Sequence, residues 1–271
     1  MSTQFLTISG GRIAYDVTGP ADAPLVVCTP GMGDVRAAYR FVTPALLQAG
    51  YRVATMDLRG HGESSVGWDD VSSAAIGSDL VALVEHLGGP AVLVGNSYAA
   101  AATVWAAAQA PDAVVGIALT GPFVRDGKQN AFARLATKLV GRSATLWTAF
   151  HKTLYKGDKP ADFAEYTKAL KATMSEPGRM PALAGMFASS HAACEARLPE
   201  VRCATQIVMG TKDPDFPDPT AEAAWIEQQL APRVPSVSVR MVEGCGHYPH
   251  AEYPEITTDT LLTFLKEVHG V

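Results

Sequence analysis

The sequence is short of charge, of cysteine and of long apolar runs, and it has no basic cluster. Charged residues make up 18% of its 271 positions, and the formal net charge is −5. A negative balance without a basic patch argues against nucleic acid or an anionic membrane as the main partner. The four cysteines, Cys28, Cys194, Cys203 and Cys245, are scattered. They form neither the close pairs of a zinc site nor a dense disulfide scaffold, and they read as buried free thiols in a reducing, cytoplasmic compartment. No His, Cys or carboxylate group has metal-ligand spacing, and no glycine-rich loop follows a nucleotide-binding pattern, so neither metal nor cofactor is expected. The longest apolar-rich run, Ala99 to Ala110, is interrupted by Thr103 and Gln109 and is too short to span a bilayer. The opening MSTQFLTISG has no basic start, apolar core or cleavage site, and no signal peptide is expected.

Hydrophobic residues are plentiful, at 48%. The length fits one α/β domain with an insertion. Phe5 to Ile8 and Arg12 to Val17 alternate like an edge hairpin around Ser9-Gly10-Gly11. Strand and helix patterns then alternate. Apolar strands start at Pro24, Tyr51, Pro90 and Ala113, and helices run up to Gln48 (with Thr43 as cap), from Val71 to Leu87 and after Ser97. That rhythm implies a mostly parallel sheet with helices on both faces and ligands at the carboxyl ends of its strands. From Phe123 to Arg202 only helical stripes remain: Phe132, Leu135 and Leu139; Leu146, Phe150 and Leu154; Phe163, Tyr166, Leu170 and Met174; Leu183, Met186 and Phe187. An interruption of roughly 80 residues exceeds any ordinary crossover and reads as a helical cap. The rhythm resumes with strands at Thr205 to Met209 and Val237 to Val242, and with helices at Thr220 to Leu230 and Pro254 to Val268. The expected organisation is a core in two parts, 1–122 and 203–271, around a cap at 123–202.

The central stretch is Pro90 to Ala101, an apolar strand running into Gly95-Asn96-Ser97-Tyr98-Ala99 and then an alanine-rich helix. Small residues around a serine at such a junction permit a sharp turn that lifts the hydroxyl clear of the sheet. Ser97, Asp213 and His247 stand at three strand ends in the order nucleophile, acid, histidine. A serine hydroxyl needs an imidazole to take its proton, and the imidazole needs a carboxylate to fix its tautomer. The backbone N–H groups of Met32, in the loop Pro30-Gly31-Met32-Gly33-Asp34, and of Tyr98, at a helix N-terminus, are placed to hold an oxyanion. Asp215 and Asp218 compete with Asp213 as the acid, and His250 reads as the start of the next segment or a residue at the cavity rim. Trp147, Tyr155, Met186 and Phe187 are the pocket candidates under the cap. His151 and His191 read as surface or packing histidines.

With Pro30 to Gly33, Asp57-Leu58-Arg59-Gly60-His61-Gly62-Glu63-Ser64, Gly95 to Ala99, Gly210 to Asp213 and Gly246-His247, the chain resembles the α/β-hydrolase fold. The likeness is strongest to the cap-bearing esterase, lactonase and epoxide-hydrolase-like branch, and it covers nearly the whole chain. It implies that Asp213 is the acid and that Asp57 and Arg59 hold a structural turn. Two departures stand out. The loop has Pro30 where the family usually has histidine, and the elbow ends in Ala99 instead of glycine. The serine nucleophile argues against the carboxylate chemistry of epoxide hydrolases and haloalkane dehalogenases. The expected activity is hydrolysis of a small-molecule ester or lactone, with another cofactor-free reaction or a slowly hydrolysing receptor as alternatives. A homodimer is left open.

Overall fold

The computed structural model describes residues 3–127 and 139–270. Eight strands form one sheet: β1 (Gln4–Ile8), β2 (Gly11–Thr18), β3 (Leu25–Thr29), β4 (Arg52–Met56), β5 (Ala91–Asn96), β6 (Val114–Thr120), β7 (Ala204–Gly210) and β8 (Val237–Val242). Their spatial order is β1-β2-β4-β3-β5-β6-β7-β8. β1 and β2 pair antiparallel, as does β2 with β4, while all pairings from β4 through β8 are parallel. Covered on both faces, the central strands read as unbroken apolar runs. Leu25 and Val27 of β3 and Leu93 of β5 pack to one side. Val26, Cys28, Val92 and Val94 pack to the other.

Helices α1 (Thr43–Gln48), α2 (Ser73–His86) and α3 (Tyr98–Gln109) follow β3, β4 and β5 in turn. The second half of the core adds α8 (Pro219–Leu230), the short α9 (Pro249–Glu252) and α10 (Pro254–His269). α2, α3 and α8 cover one face through Ile76, Leu80, Leu83, Ile226 and Leu230. α1 and α10 cover the other through Leu46, Leu261, Phe264 and Leu265. The alanines of α3 allow it to lie close to both the sheet and α2. A Cβ at Gly77 would collide with Trp105 and come within 2.8 Å of the Ala102 carbonyl oxygen. Thr43 lies inside α1 instead of capping it; Val42 holds the N-cap position without a side-chain hydrogen bond, and Pro44 in the first turn starts the helix.

Between β6 and β7 the described residues form α4 (Ala144–Thr153), α5 (Phe163–Met174), α6 (Arg179–Ala188) and α7 (Ala192–Glu195). The proposed stripe members Phe132 and Leu135 lie outside the described residues. On α4 the stripe is borne out only in part: Leu154 is buried and Phe150 packs against it, but Leu146 is exposed, while Trp147, Thr148 and His151 are buried. Tyr166, Leu170 and Met174 of α5 and Leu183 and Met186 of α6 are buried as the periodicity predicts. Among the described residues no helix is long and apolar enough to cross a membrane.

The loop after β4 is fixed by a buried carboxylate. Asp57 accepts from the N–H groups of Arg36, at 2.7 Å, and Glu63, at 3.0 Å, and pairs with the Arg36 guanidinium. Arg36 also meets Asp16, Glu63 and Thr3. The partner of Asp57 is therefore Arg36, whereas Arg59 forms a fork with Asp79 of α2. Removing one member of a buried pair strands the other. Arg36→Ala should therefore lower unfolding stability by about 3 kcal/mol in urea titration, with Arg36→Lys recovering only part of it.

Candidate active site

The strand β5 ends in a backbone reversal. Ser97 has φ 54° and ψ −121°, and it is the sole non-glycine residue with positive φ among those described. That conformation costs energy in any residue with a Cβ and persists only where neighbours enforce it. The Ser97 N–H donates to the Thr120 carbonyl at 2.9 Å, and the Ser97 carbonyl accepts from Ala100 at 2.9 Å and Phe123 at 3.2 Å. Both flanks must be small. A Cβ at Gly95 would overlap Thr103 and lie 2.7 Å from the Ala99 carbonyl oxygen, and one at Gly31 would come within 2.8 Å of the Ser97 Cβ.

The loops after β7 and β8 bring the acid and the histidine together. His247 Nδ1 is 2.7 Å from Asp213 Oδ2, with both side chains buried. Asp213 Oδ1 accepts from the Asp215 N–H at 3.1 Å, so the carboxylate is oriented by its own loop. This geometry puts Asp213, rather than Asp215 or Asp218, on Nδ1; Asp218 instead caps α8 through the Ala221 N–H. Asn96, next to Ser97, donates to the carbonyls of Thr120, at 2.9 Å, and His247, at 3.4 Å. Phe123, bonded to the Ser97 carbonyl, also sets its ring against His247 at 5.9 Å between centroids. The serine and histidine segments therefore share two neighbours. Burial would lower the basicity of His247, but Asp213, by charge and hydrogen bond, with Asp215 and Glu252, raises its pKa to about 9.

The loop that carries Met32 is held from below and above. His61 Nε2 accepts from the Gly33 N–H at 2.9 Å, while its Nδ1 donates to the Arg59 carbonyl, also at 2.9 Å. Burial lowers the His61 pKa to about 4, which keeps Nε2 an acceptor at neutral pH. From the helical segment, Trp147 Nε1 donates to the Gly33 carbonyl at 2.7 Å. Asp34 accepts from Tyr166 and faces His151 Nε2 at 3.3 Å. Burial would raise the Asp34 carboxyl, but His151, Tyr166 and the Val35 N–H bring it below its ordinary value. The N–H groups of Met32 and Tyr98 have no acceptor among the described residues. Tyr98 follows Ser97 directly at the start of α3, and Gly31, the residue before Met32, approaches the Ser97 side chain.

Of the pocket candidates, Trp147 stands over Gly33 and Phe187 is edge-on to Trp147 at 5.9 Å. Tyr155 packs with Leu154 and Tyr248 beside His247, and Met186 is buried. His151 is a buried hydrogen-bonding residue, and His191 bonds the Ser73 hydroxyl at 2.8 Å and tilts onto Tyr98. His250 lies in α9, which starts the next segment, and is buried and stacked on Tyr39.

Sequence reading missed Glu252. Its buried carboxylate accepts from four backbone N–H groups: Gly246 at 3.0 Å and Tyr248 at 3.1 Å around the histidine, and Lys156 at 2.8 Å and Gly157 at 2.6 Å after α4. The His247 N–H adds a bond to the Leu154 carbonyl at 3.0 Å. The only local signal was a glutamate on a segment with two prolines, and two of the four donors come from 95 and 96 residues away.

The chain belongs to the alpha/beta hydrolase family, whose profile matches residues 26–260. It is 27% identical over 271 residues to the 2-(acetamidomethylene)succinate hydrolase of Mesorhizobium japonicum, covering 94% of this chain and 92% of that protein. Identity reaches 40% with the proline iminopeptidase PfmaB of Pestalotiopsis fici, but over 65 residues, 23% of this chain and 22% of that relative's length. The enol-lactonase of Burkholderia xenovorans LB400 superposes with a TM-score of 0.76 at 19% identity, over 97% of this chain and 100% of the other.

Four N–H donors converge on Glu252, so its loss leaves buried donors without an acceptor. Glu252→Ala should lower stability by about 3 kcal/mol. Amide hydrogen exchange should speed up at Lys156, Gly157, Gly246 and Tyr248 together, and acceleration at only one segment would show that Glu252 does not join the two.

Proposed function

We propose that this protein is a serine hydrolase that cleaves a carboxylic ester or lactone through an acyl-enzyme, using protein groups alone. The observation that carries the reading is the Asp213–His247 bond of 2.7 Å beside a serine held at positive φ. In this scheme the Ser97 hydroxyl attacks the substrate carbonyl carbon while His247 Nε2 takes its proton. Asp213 keeps Nδ1 protonated and stabilises the imidazolium. The oxyanion is held by the N–H groups of Met32 and Tyr98. Collapse of the tetrahedral adduct expels the alcohol, which receives the proton from Nε2. Water then attacks the acyl-serine with His247 again as base, releasing the acid and restoring Ser97.

Residues 123–202 serve as the cap in this reading, with Trp147, Tyr155, Met186 and Phe187 around the acyl side. Likeness to an enol-lactonase supports an ester or lactone as substrate. Unpaired, mostly buried cysteines support a reducing, cytoplasmic setting.

The test is turnover of p-nitrophenyl esters from acetyl to dodecanoyl. Ser97→Ala should lose at least about 1,000-fold in kcat with folding intact, and the wild-type optimum will report the length of the pocket. Equal turnover by both proteins overturns the assignment of Ser97.

A further inference from the structure

His247 has carboxylates on both sides. Asp213 occupies Nδ1, and Asp215 Oδ2 lies 3.7 Å from Nε2, the nitrogen that must exchange a proton with Ser97 and the leaving group. The separation is too long for a hydrogen bond but within range of a strong charge interaction. The Asp215 side chain is 22% exposed and its backbone N–H already orients Asp213, so the loop places two carboxylates around one ring.

We propose that Asp215 is a positioning residue for His247, stabilising its imidazolium from the Nε2 side, opposite Asp213. This rests on the serine hydrolase reading for its catalytic consequence, though not for its physical content. In the resting protein the Asp215 charge raises the affinity of Nε2 for a proton, which holds the histidine in its charged form below the midpoint of its titration. During the reaction the same charge favours the imidazolium produced when Ser97 gives up its proton. Asp215 therefore trades activity at low pH for a stronger base.

The other groups around the ring do not take over this role. Glu252 of α9 faces His247 as well, but its oxygens are engaged by four backbone N–H groups. His250 is kept neutral by burial, its pKa lowered to about 3. Tyr248, with its hydroxyl pushed well above the ordinary range by burial, and Phe123 add no charge. Burial raises the Asp215 carboxyl and Asp213 adds to this, with His247 opposing.

The experiment is histidine-labelled NMR titration of the full chain, with His247 assigned through His247→Gln. Wild-type His247 should titrate at about 9. In Asp215→Asn, and in Asp215→Ser as a second variant, the midpoint should fall by about one pH unit, a tenfold change. Asp218→Asn, which removes a charge from the same loop but keeps a capping oxygen for α8, should leave it in place. The acid limb of kcat/KM on the p-nitrophenyl esters should move with the NMR midpoint. A midpoint within about 0.2 pH units of wild type in both Asp215 variants overturns the proposal. If the midpoint falls but Ser97→Ala still turns over esters at the wild-type rate, the serine reading fails and the Asp215–His247 coupling stands.

Discussion

Between β5 and α3 the chain must change from strand to helix at a single residue, and Ser97 makes that change at φ 54°. Holding a residue with a Cβ in this region costs on the order of 1–3 kcal/mol, so the surroundings have to enforce it. The enforcing bonds come from the neighbouring strand, from the first turn of α3 and from Phe123. Close approach then dictates glycine at 31 and 95 and alanine along the sheet side of α3. The strain at one backbone position thus accounts for much of the small-residue pattern at the centre of the sheet.

The same economy appears in the loops around the serine. Each is fixed by one buried polar group that reaches a distant segment. Asp57 gathers Arg36 and the turn at Glu63; His61 and Trp147 grip Gly33 from opposite sides; Glu252 ties the histidine loop to the chain after α4. Buried charge is costly unless several donors satisfy it, and here each carboxylate has at least three. The helical segment is consequently part of the support of these loops. Trp147 and Tyr166 bind the loop that carries Met32, and the Leu154 carbonyl accepts from the His247 N–H.

These links bear on the family's usual loop sequence. Where relatives of this fold commonly have histidine before the glycine, this chain has Pro30, and the hydrogen bond that steadies the loop comes from His61, on the turn after β4. Proline offers no N–H and no side-chain polarity, so support for Gly33 has to arrive from other segments. A neutral, deeply buried imidazole and an indole N–H supply it.

The sequence by itself determined the sheet, the helices that flank it and the order of the polar residues at strand ends, because each follows from local rules. Unbroken apolar runs specify strands covered on both faces, alanine and glycine specify close approach, and a serine between small residues specifies a sharp junction. Asp213 and His247 were legible for the same reason, each lying just past a buried strand. Tertiary structure decided what depends on contacts between segments far apart in the chain. It placed Arg36, not Arg59, on Asp57, and turned Trp147 instead of Leu146 inward on α4. It buried His250 against Tyr39, brought four N–H groups to Glu252 and set Asp215 beside Nε2 of His247. A side chain's partner across the fold is fixed by packing of whole elements, and no periodicity within one element encodes it.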